Sequence, residues 1–279
     1  MKRLTLFIAV TASALLTVGG TIAMGSAQAS ATLPALSIAI TPSSATVSGA
    51  RESGAVNVVS SDTGVKEAAV IVFLLKPGVS LAEVEKFSAE KKAKDPNSAS
   101  KYGSIVFDTE VNPGQNSEAQ TDLQPGQYIV LVGAGEGEAQ IRTSFTVTAA
   151  RSAATLPTPQ ATIRSIEFGF RGPSTLHDGE LVRFENEGFV VHMDVAFPVK
   201  NMTLAKRVVK LLLAGKEKGL EKLVSGPPVT FAGPLSHEAF QQETIAAKPG
   251  VYVQACFMDT QDGRSHTQLG MERIIHIVK

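Results

Sequence analysis

The sequence predicts a mainly β chain folded as two β-sandwiches, each with one inserted helical crossover. Three observations carry that prediction. Short apolar runs alternate with Gly, Pro, Asn and Asp turns along most of the chain. One stretch of helical spacing stands in each half. The same order of signals occurs twice, on either side of a small-residue, Pro-containing stretch at 148–160.

In the first half, Val70 to Leu74 reads as a buried strand. Lys76-Pro77-Gly78 then turns into a helix whose Ser80 and Glu83 form a capping box and which runs to about Lys94. In the second half, Met193 to Phe197 reads as the corresponding strand. Thr203 opens a helix with Leu204, Val208, Leu211 and Leu212 on one face, and Lys216, Glu217, Lys218, Glu221 and Lys222 read as its solvated side. Pro125 to Val132 matches Pro249 to Cys256, each a turn feeding a strand, and the halves close with strands around Thr143 to Val147 and Arg273 to Val278. The expected boundaries are a first domain at 31–147, a linker at 148–160 and a second domain at 161–279.

Residues 1–29 read as a cleavable secretory signal. Lys2 and Arg3 precede an apolar run from Leu4 through Val18, and Ala27-Gln28-Ala29 supplies a small-x-small cleavage pattern. No cysteine follows to accept a lipid, and Thr11, Ser13, Thr17, Gly19 and Gly20 interrupt the run too often for an uncleaved anchor to be the favoured reading. The expectation is an exported protein, periplasmic or extracellular, without an integral membrane anchor after cleavage. Removing Lys2 and Arg3 from a chain whose 26 bases balance 26 acids leaves it slightly acidic. There is no basic block, no Trp and only three Tyr, which argues against nucleic-acid binding and against aromatic sugar platforms.

An exported chain in an oxidising compartment uses cysteines in pairs, yet Cys256 stands alone. It is either a small buried hydrophobe or a metal ligand. All five histidines, His177, His192, His237, His266 and His276, lie in the second half. The first half, after the signal, has no His, Cys or Met and cannot build a nitrogen-and-sulfur site. His177 beside Asp178-Gly179, His237 after Gly233-Pro234-Leu235-Ser236, and His276 in the last strand read as structural or solvent-facing.

The remaining residues fall in a suggestive order. Asn186-Glu187-Gly188 leads to His192 directly after a strand at Leu181 to Glu185. Tyr252-x-x-x-Cys256 follows, then His266-x-x-x-x-Met271 with Gly270 just before the methionine. On these residues the second half resembles the cupredoxins, the family of plastocyanin, azurin and the blue-copper domains of copper nitrite reductase. The resemblance implies two tandem cupredoxin-like Greek-key sandwiches, the first degenerate. It also implies one copper held by His192 and His266 as equatorial nitrogens, Cys256 as thiolate and Met271 as weak axial ligand. Two imidazoles and a thiolate below a long thioether suit both copper oxidation states. The nine residues from Phe257 to Ser265 make a longer loop than plastocyanin has, and one close to that of copper nitrite reductases. Asp259, Asp262 and Gly263 make that loop look like an exposed turn. Strand alternation puts Met193, Val195 and Phe197 on one face and His192 with Asp194 on the other, unless a bulge opens the strand.

In the first half Ala68 stands near the place of His192, and Val132 stands at that of Cys256. Gly133 to Glu138 lacks the third glycine of a dinucleotide fingerprint and reads as a hairpin. No Gly-x-Ser-x-Gly elbow and no His-x-His pair is present, and a histidine-free first half cannot contribute to an interdomain catalytic copper, so the expectation is a protein that is not an enzyme. Single-electron carriage or copper handling, with a redox partner or a copper donor or acceptor, is weighed against a metal-free structural or adhesive pair of sandwiches. Taken singly, His192, Cys256, His266 and Met271 would each be ordinary packing or surface residues.

Overall fold

The computed structural model describes residues 32–88, 96–134, 140–216 and 218–279. The signal expected at 1–29, the extension of the first helix toward Lys94 and most of the Gly133 to Glu138 hairpin lie outside those residues.

The chain is mainly β, as expected. The first half contributes β1 (Ala35–Ile40), β2 (Ala45–Gly49), β3 (Gly54–Asp62), β4 (Ala68–Leu75), α1 (Leu81–Ser88), β5 (Gly103–Val111), β6 (Asn116–Leu123), β7 (Gly126–Ala134) and β8 (Gln140–Val147). The second contributes β9 (Ala161–Ile166), β10 (Gly169–Arg171), β11 (Thr175–His177), β12 (Leu181–Asn186), β13 (His192–Val199), α2 (Met202–Leu213), β14 (Val229–Leu235), β15 (Phe240–Thr244), β16 (Gly250–Ala255) and β17 (Glu272–Val278). One sheet runs β10-β9-β12-β15-β6-β3-β1-β2 through both halves. It is faced by β5-β4-β7-β8 in the first half and by β11-β17-β16-β13-β14 in the second.

The strand order of one half recurs in the other. β1 pairs antiparallel with β2 and parallel with β3, and β9 pairs in the same way with β10 and β12. Tyr128 faces Leu74 across β4 and β7, and Tyr252 faces Pro198 across β13 and β16. Each tyrosine hydroxyl donates to the carbonyl four residues upstream, Gln124 at 2.7 Å and Lys248 at 2.8 Å. A buried phenol needs such an acceptor, and this one pins the turn that feeds the strand.

Each half has its own apolar core. Leu36, Ile38, Val70, Phe107, Tyr128 and Val130 belong to the first, and Ile163, Phe184, Phe231, Tyr252 and Ile275 to the second. The Ser80–Glu83 capping box is present, with Glu83 N donating to Ser80 Oγ at 3.3 Å and Ser80 N to Glu83 Oε2 at 2.8 Å. The second helix starts one residue earlier than the sequence suggests. Asn201, in extended backbone, accepts from Leu204 N at 3.0 Å, so Asn201 rather than Thr203 supplies the capping oxygen. Ala205, Val208 and Leu212 of α2 pack on Val253 and Ala255 of β16. No helix among the described residues is long and apolar enough to cross a membrane.

The halves meet along a seam. Gln120 of β6 lies opposite Gln242 of β15, and Gln242 Nε2 donates to Gln120 Oε1 at 2.9 Å and to Pro157 O at 3.1 Å. A fourth apolar cluster joins Phe73, Leu75, Val84, Ile105 and Ile129 of the first half to Val191 and Met258 of the second.

Candidate metal centre

β12 ends in Asn186, whose buried side chain organises the loop that follows. Its amide nitrogen donates to Val190 O and to Leu235 O, both at 2.8 Å, and its oxygen accepts from Gly188 N at 2.8 Å. The loop thereby closes on itself and delivers His192 at the start of β13. The alternation problem is solved as the sequence required. The register of β13 against β14 shifts between His192 and Asp194 and again between Asp194 and Val195. His192, Asp194, Val195 and Ala196 are all buried, because β13 lies between β16 and β14 with the core of the second half on one face and α2 packed on the other.

Cys256 follows the end of β16, and His266 opens a 3-10 turn at His266–Leu269. The loop between them is exposed at its tip but tied at its base. Asp259 bridges Ser265, His266 N donates to Met258 O at 2.8 Å, and Arg264 pairs with Asp262 at 2.8 Å. Gly270, with φ of 98°, reverses the chain out of the turn, a conformation other residues adopt at a cost.

These elements bring three donor atoms together in a buried pocket. His192 Nδ1 lies 3.1 Å from His266 Nδ1 and 3.8 Å from Cys256 Sγ, and His266 Nδ1 lies 3.3 Å from the same sulfur. A point equidistant from these three atoms is about 2.0 Å from each, close to the ~2.0–2.3 Å that nitrogen and thiolate ligands take around a borderline cation. Met193 N donates to the sulfur at 3.4 Å, a bond that favours thiolate character.

Without a cation the pocket is electrostatically awkward. Burial pushes the Cys256 thiol up to about 12. Burial, with the neighbouring His266, holds His192 down to about 3, and burial holds His266 down to about 4. Both imidazoles are therefore neutral and offer lone pairs. Their outward Nε2 atoms are buried and have no hydrogen-bond partner among the described residues. Two neutral imidazoles and one sulfur turned toward a common point make a soft-to-borderline donor set, and that set fits copper or zinc.

The backbone of Met271 is fastened between two of these residues. Its N donates to His266 O at 3.0 Å, and its O accepts from Cys256 N at 3.1 Å, with the residue itself fully buried. The other histidines stand apart from this group. His177 is exposed and bonded at 3.1 Å to the Lys279 carbonyl, and His276 is half-buried in β17. His237 Nδ1 is 2.9 Å from Gly188 O, and its ring lies 5.2 Å from that of the exposed Phe189. In the first half the corresponding places are taken by Ala68 and Val132, both buried and neither a donor.

Several residues near the site gave little sign of themselves in the sequence. Phe168 sets its ring edge-on to His266 at 5.1 Å, from a left-handed backbone with φ of 57°. Asp194 accepts both of its bonds from Gln254, at 2.7 and 2.6 Å. Gln254 in turn accepts from Arg273 at 2.6 Å, and Arg273 reaches the carbonyls of Gly172 and Pro173. Burial raises Asp194 to about 7, against the pull of Gln254 and Arg273. The signal for Asp194 was its place on the face of His192. Phe168 and Arg273 carried none, because their contacts come from distant strands.

The sequence matches no protein-family model and no curated protein. Among solved structures it is similar to reduced auracyanin from the photosynthetic bacterium Roseiflexus castenholzii, at 15% identity over 42% of this chain and 95% of that one, with a TM-score of 0.26. It is also similar to copper nitrite reductase from Nitrosomonas europaea, at 12% identity over 88% of this chain and 93% of that one, TM-score 0.24. A third is a multi-copper oxidase from Pediococcus acidilactici, at 9% identity over 88% of this chain and 59% of that one, TM-score 0.23. The expectation of a protein that is not an enzyme is corrected here, because structures of a copper nitrite reductase and of multicopper oxidases stand among those it is similar to.

Proposed function

We propose that this is an exported copper-binding protein of the cupredoxin type, holding one copper in its second half and carrying single electrons. One observation carries the reading: Nδ1 of His192, Nδ1 of His266 and Sγ of Cys256 lie within 4.8 Å of one another in a buried pocket. In this reading His192 and His266 are the equatorial nitrogen ligands, Cys256 the thiolate and Met271 the weak axial ligand. Bound copper would supply a one-electron couple. The chain's own part is to hold three donors in place, to exclude water by burying all of them, and to keep both imidazoles unprotonated. The tied base of the loop and the burial of the site favour retention of the metal over rapid hand-over, and so favour electron carriage over copper delivery.

The domains are proposed to lie at 31–147 and 161–279, with 148–160 between them, and the partner to be a redox protein or a copper donor or acceptor. The test is to add Cu(II) to the purified protein beginning near Ser30 and to look for an intense visible thiolate-to-copper band. The band should vanish in Cys256→Ser. A colourless wild type whose melting temperature does not respond to copper would favour the metal-free structural or adhesive alternative.

A further inference from the structure

The first half holds no ligand of this site, yet the two ligand-bearing loops are seated in it. Val191, which directly precedes His192, is buried in the cluster formed by Phe73, Leu75, Val84, Ile105 and Ile129 of the first half. Its backbone N donates to Asn97 Oδ1 at 2.6 Å. Asn97 stands in the 3-10 turn Pro96–Lys101 that follows α1. That turn is itself fixed, with Ala99 and Tyr102 packed on the same cluster, Tyr102 N donating to Ala99 O at 2.9 Å and Lys76 N to Tyr102 O at 2.8 Å. On the other side of the site, Met258 packs on the same cluster, and its carbonyl is the acceptor for His266 N at 2.8 Å.

A third clasp closes the seam. Ile105 N donates to Ser236 Oγ at 2.8 Å and Ser236 N donates to Ile105 O at 3.0 Å, next to Leu235, whose carbonyl holds Asn186. His192 and His266 are thus each within one or two covalent or hydrogen-bonded steps of a residue held by the first half.

We infer that Asn97 is a positioning residue for the metal centre, and that the ligand-free first half serves to preorganise it, fixing His192 through Val191 and His266 through Met258. Outer partners that orient a ligand lower the reorganisation required when metal binds and slow its escape. Within its own half the loop at 187–191 is closed by Asn186, which bonds Gly188 N and Val190 O. Asn97 adds the bond from the first half to Val191 N, so losing it loosens the backbone immediately before the ligand. This inference rests on the copper reading above.

The test uses the full mature chain loaded with Cu(II). Two quantities are measured: the rate of copper release to an excess of chelator, and the energy of the thiolate-to-copper band with its copper hyperfine splitting. Asn97→Ala should release copper about tenfold faster and shift the spectrum. Asn97→Asp, which keeps an acceptor oxygen, should return the rate to within about twofold of wild type. Val191→Ala, which empties the seat while leaving Asn97 in place, should also speed release and carries the test should Asn97→Ala not fold. Val58→Ala, a core change in β3 of the first half outside the cluster that seats Val191 and Met258, lowers stability and should leave release and spectrum unchanged. Wild-type release rates in Asn97→Ala, or an equal acceleration in Val58→Ala, overturn the inference. A wild type that takes up no copper overturns the copper reading itself, and this inference falls with it; the two failures are told apart by whether the wild type develops a band.

Discussion

Gly188 offers a sharp perturbation of the metal centre because its missing side chain is what gives the His192 imidazole its room. A Cβ built there would lie 2.7 Å from His192 Nε2, 3.0 Å from His192 Cδ2 and 2.9 Å from Glu167 Oε1, whereas ordinary contact begins near 3.4 Å. Glu167 is exposed and can swing aside. The ring of His192 is buried and must yield by about 0.7 Å to restore normal contact. The backbone at Gly188 is outside the left-handed region, so alanine brings no backbone strain of its own. Donor positions have to hold to within about 0.2 Å for a good site, and a shift of this size at one corner of the His192, His266, Cys256 triangle exceeds that tolerance. Gly188→Ala should therefore weaken Cu(II) binding about 10- to 100-fold, while overpacking costs the metal-free protein about 1–3 kcal/mol. Affinity is read by competition with a chelator of known strength, and metal-free stability by thermal or urea unfolding. Wild-type affinity and an unaltered spectrum in a folded Gly188→Ala would refute the claim that His192 reaches the metal from this position.

Further outcomes follow from other parts of the structure. Asp108 is buried with Oδ2 unpartnered, and burial, with Glu110 adding like charge, raises its carboxyl well above the ordinary 3.8. Its stabilising contribution is complete below that ordinary value and is lost as pH rises toward the folded-state value, because the unfolded chain releases the proton first. Asp108→Asn should flatten this loss from about pH 4 upward, checked by urea midpoints across a pH series. Phe168→Gly removes the ring that covers His266 and relieves a left-handed residue. It should speed copper release several-fold, measured by chelator competition, without lowering stability by more than about 1 kcal/mol. Asn201→Ala removes the cap of α2 and should cost about 1 kcal/mol in unfolding experiments. Phe231→Ala takes away a fully buried ring stacked on Phe184 at 5.0 Å and should cost about 3–5 kcal/mol, enough to lower the melting temperature severely.

Strand and helix patterning was legible in the sequence because it is local. Period-two runs, Gly/Pro turns and the Ser80–Glu83 box each involve residues a few positions apart, and such interactions decide strand from helix before any tertiary contact forms. The candidate ligands were legible for a different reason. A lone cysteine, with histidines confined to one half, left few donor sets to consider, and strand alternation already stated that His192 would need a bulge to come inward. The cap at Asn201 was missed because Thr203 is also a capping residue type, and only the backbone conformation distinguishes them.

By itself the sequence determined a mainly β chain with its signals repeated in two halves and one small group of residues able to bind a soft metal. Only the tertiary structure decided that these residues meet. The bulge in β13, the Asn97 to Val191 bond and the shared cluster of Val191 and Met258 join segments more than 30 residues apart. Such contacts leave no local pattern, because their energy is gained only when distant strands have already been brought into register.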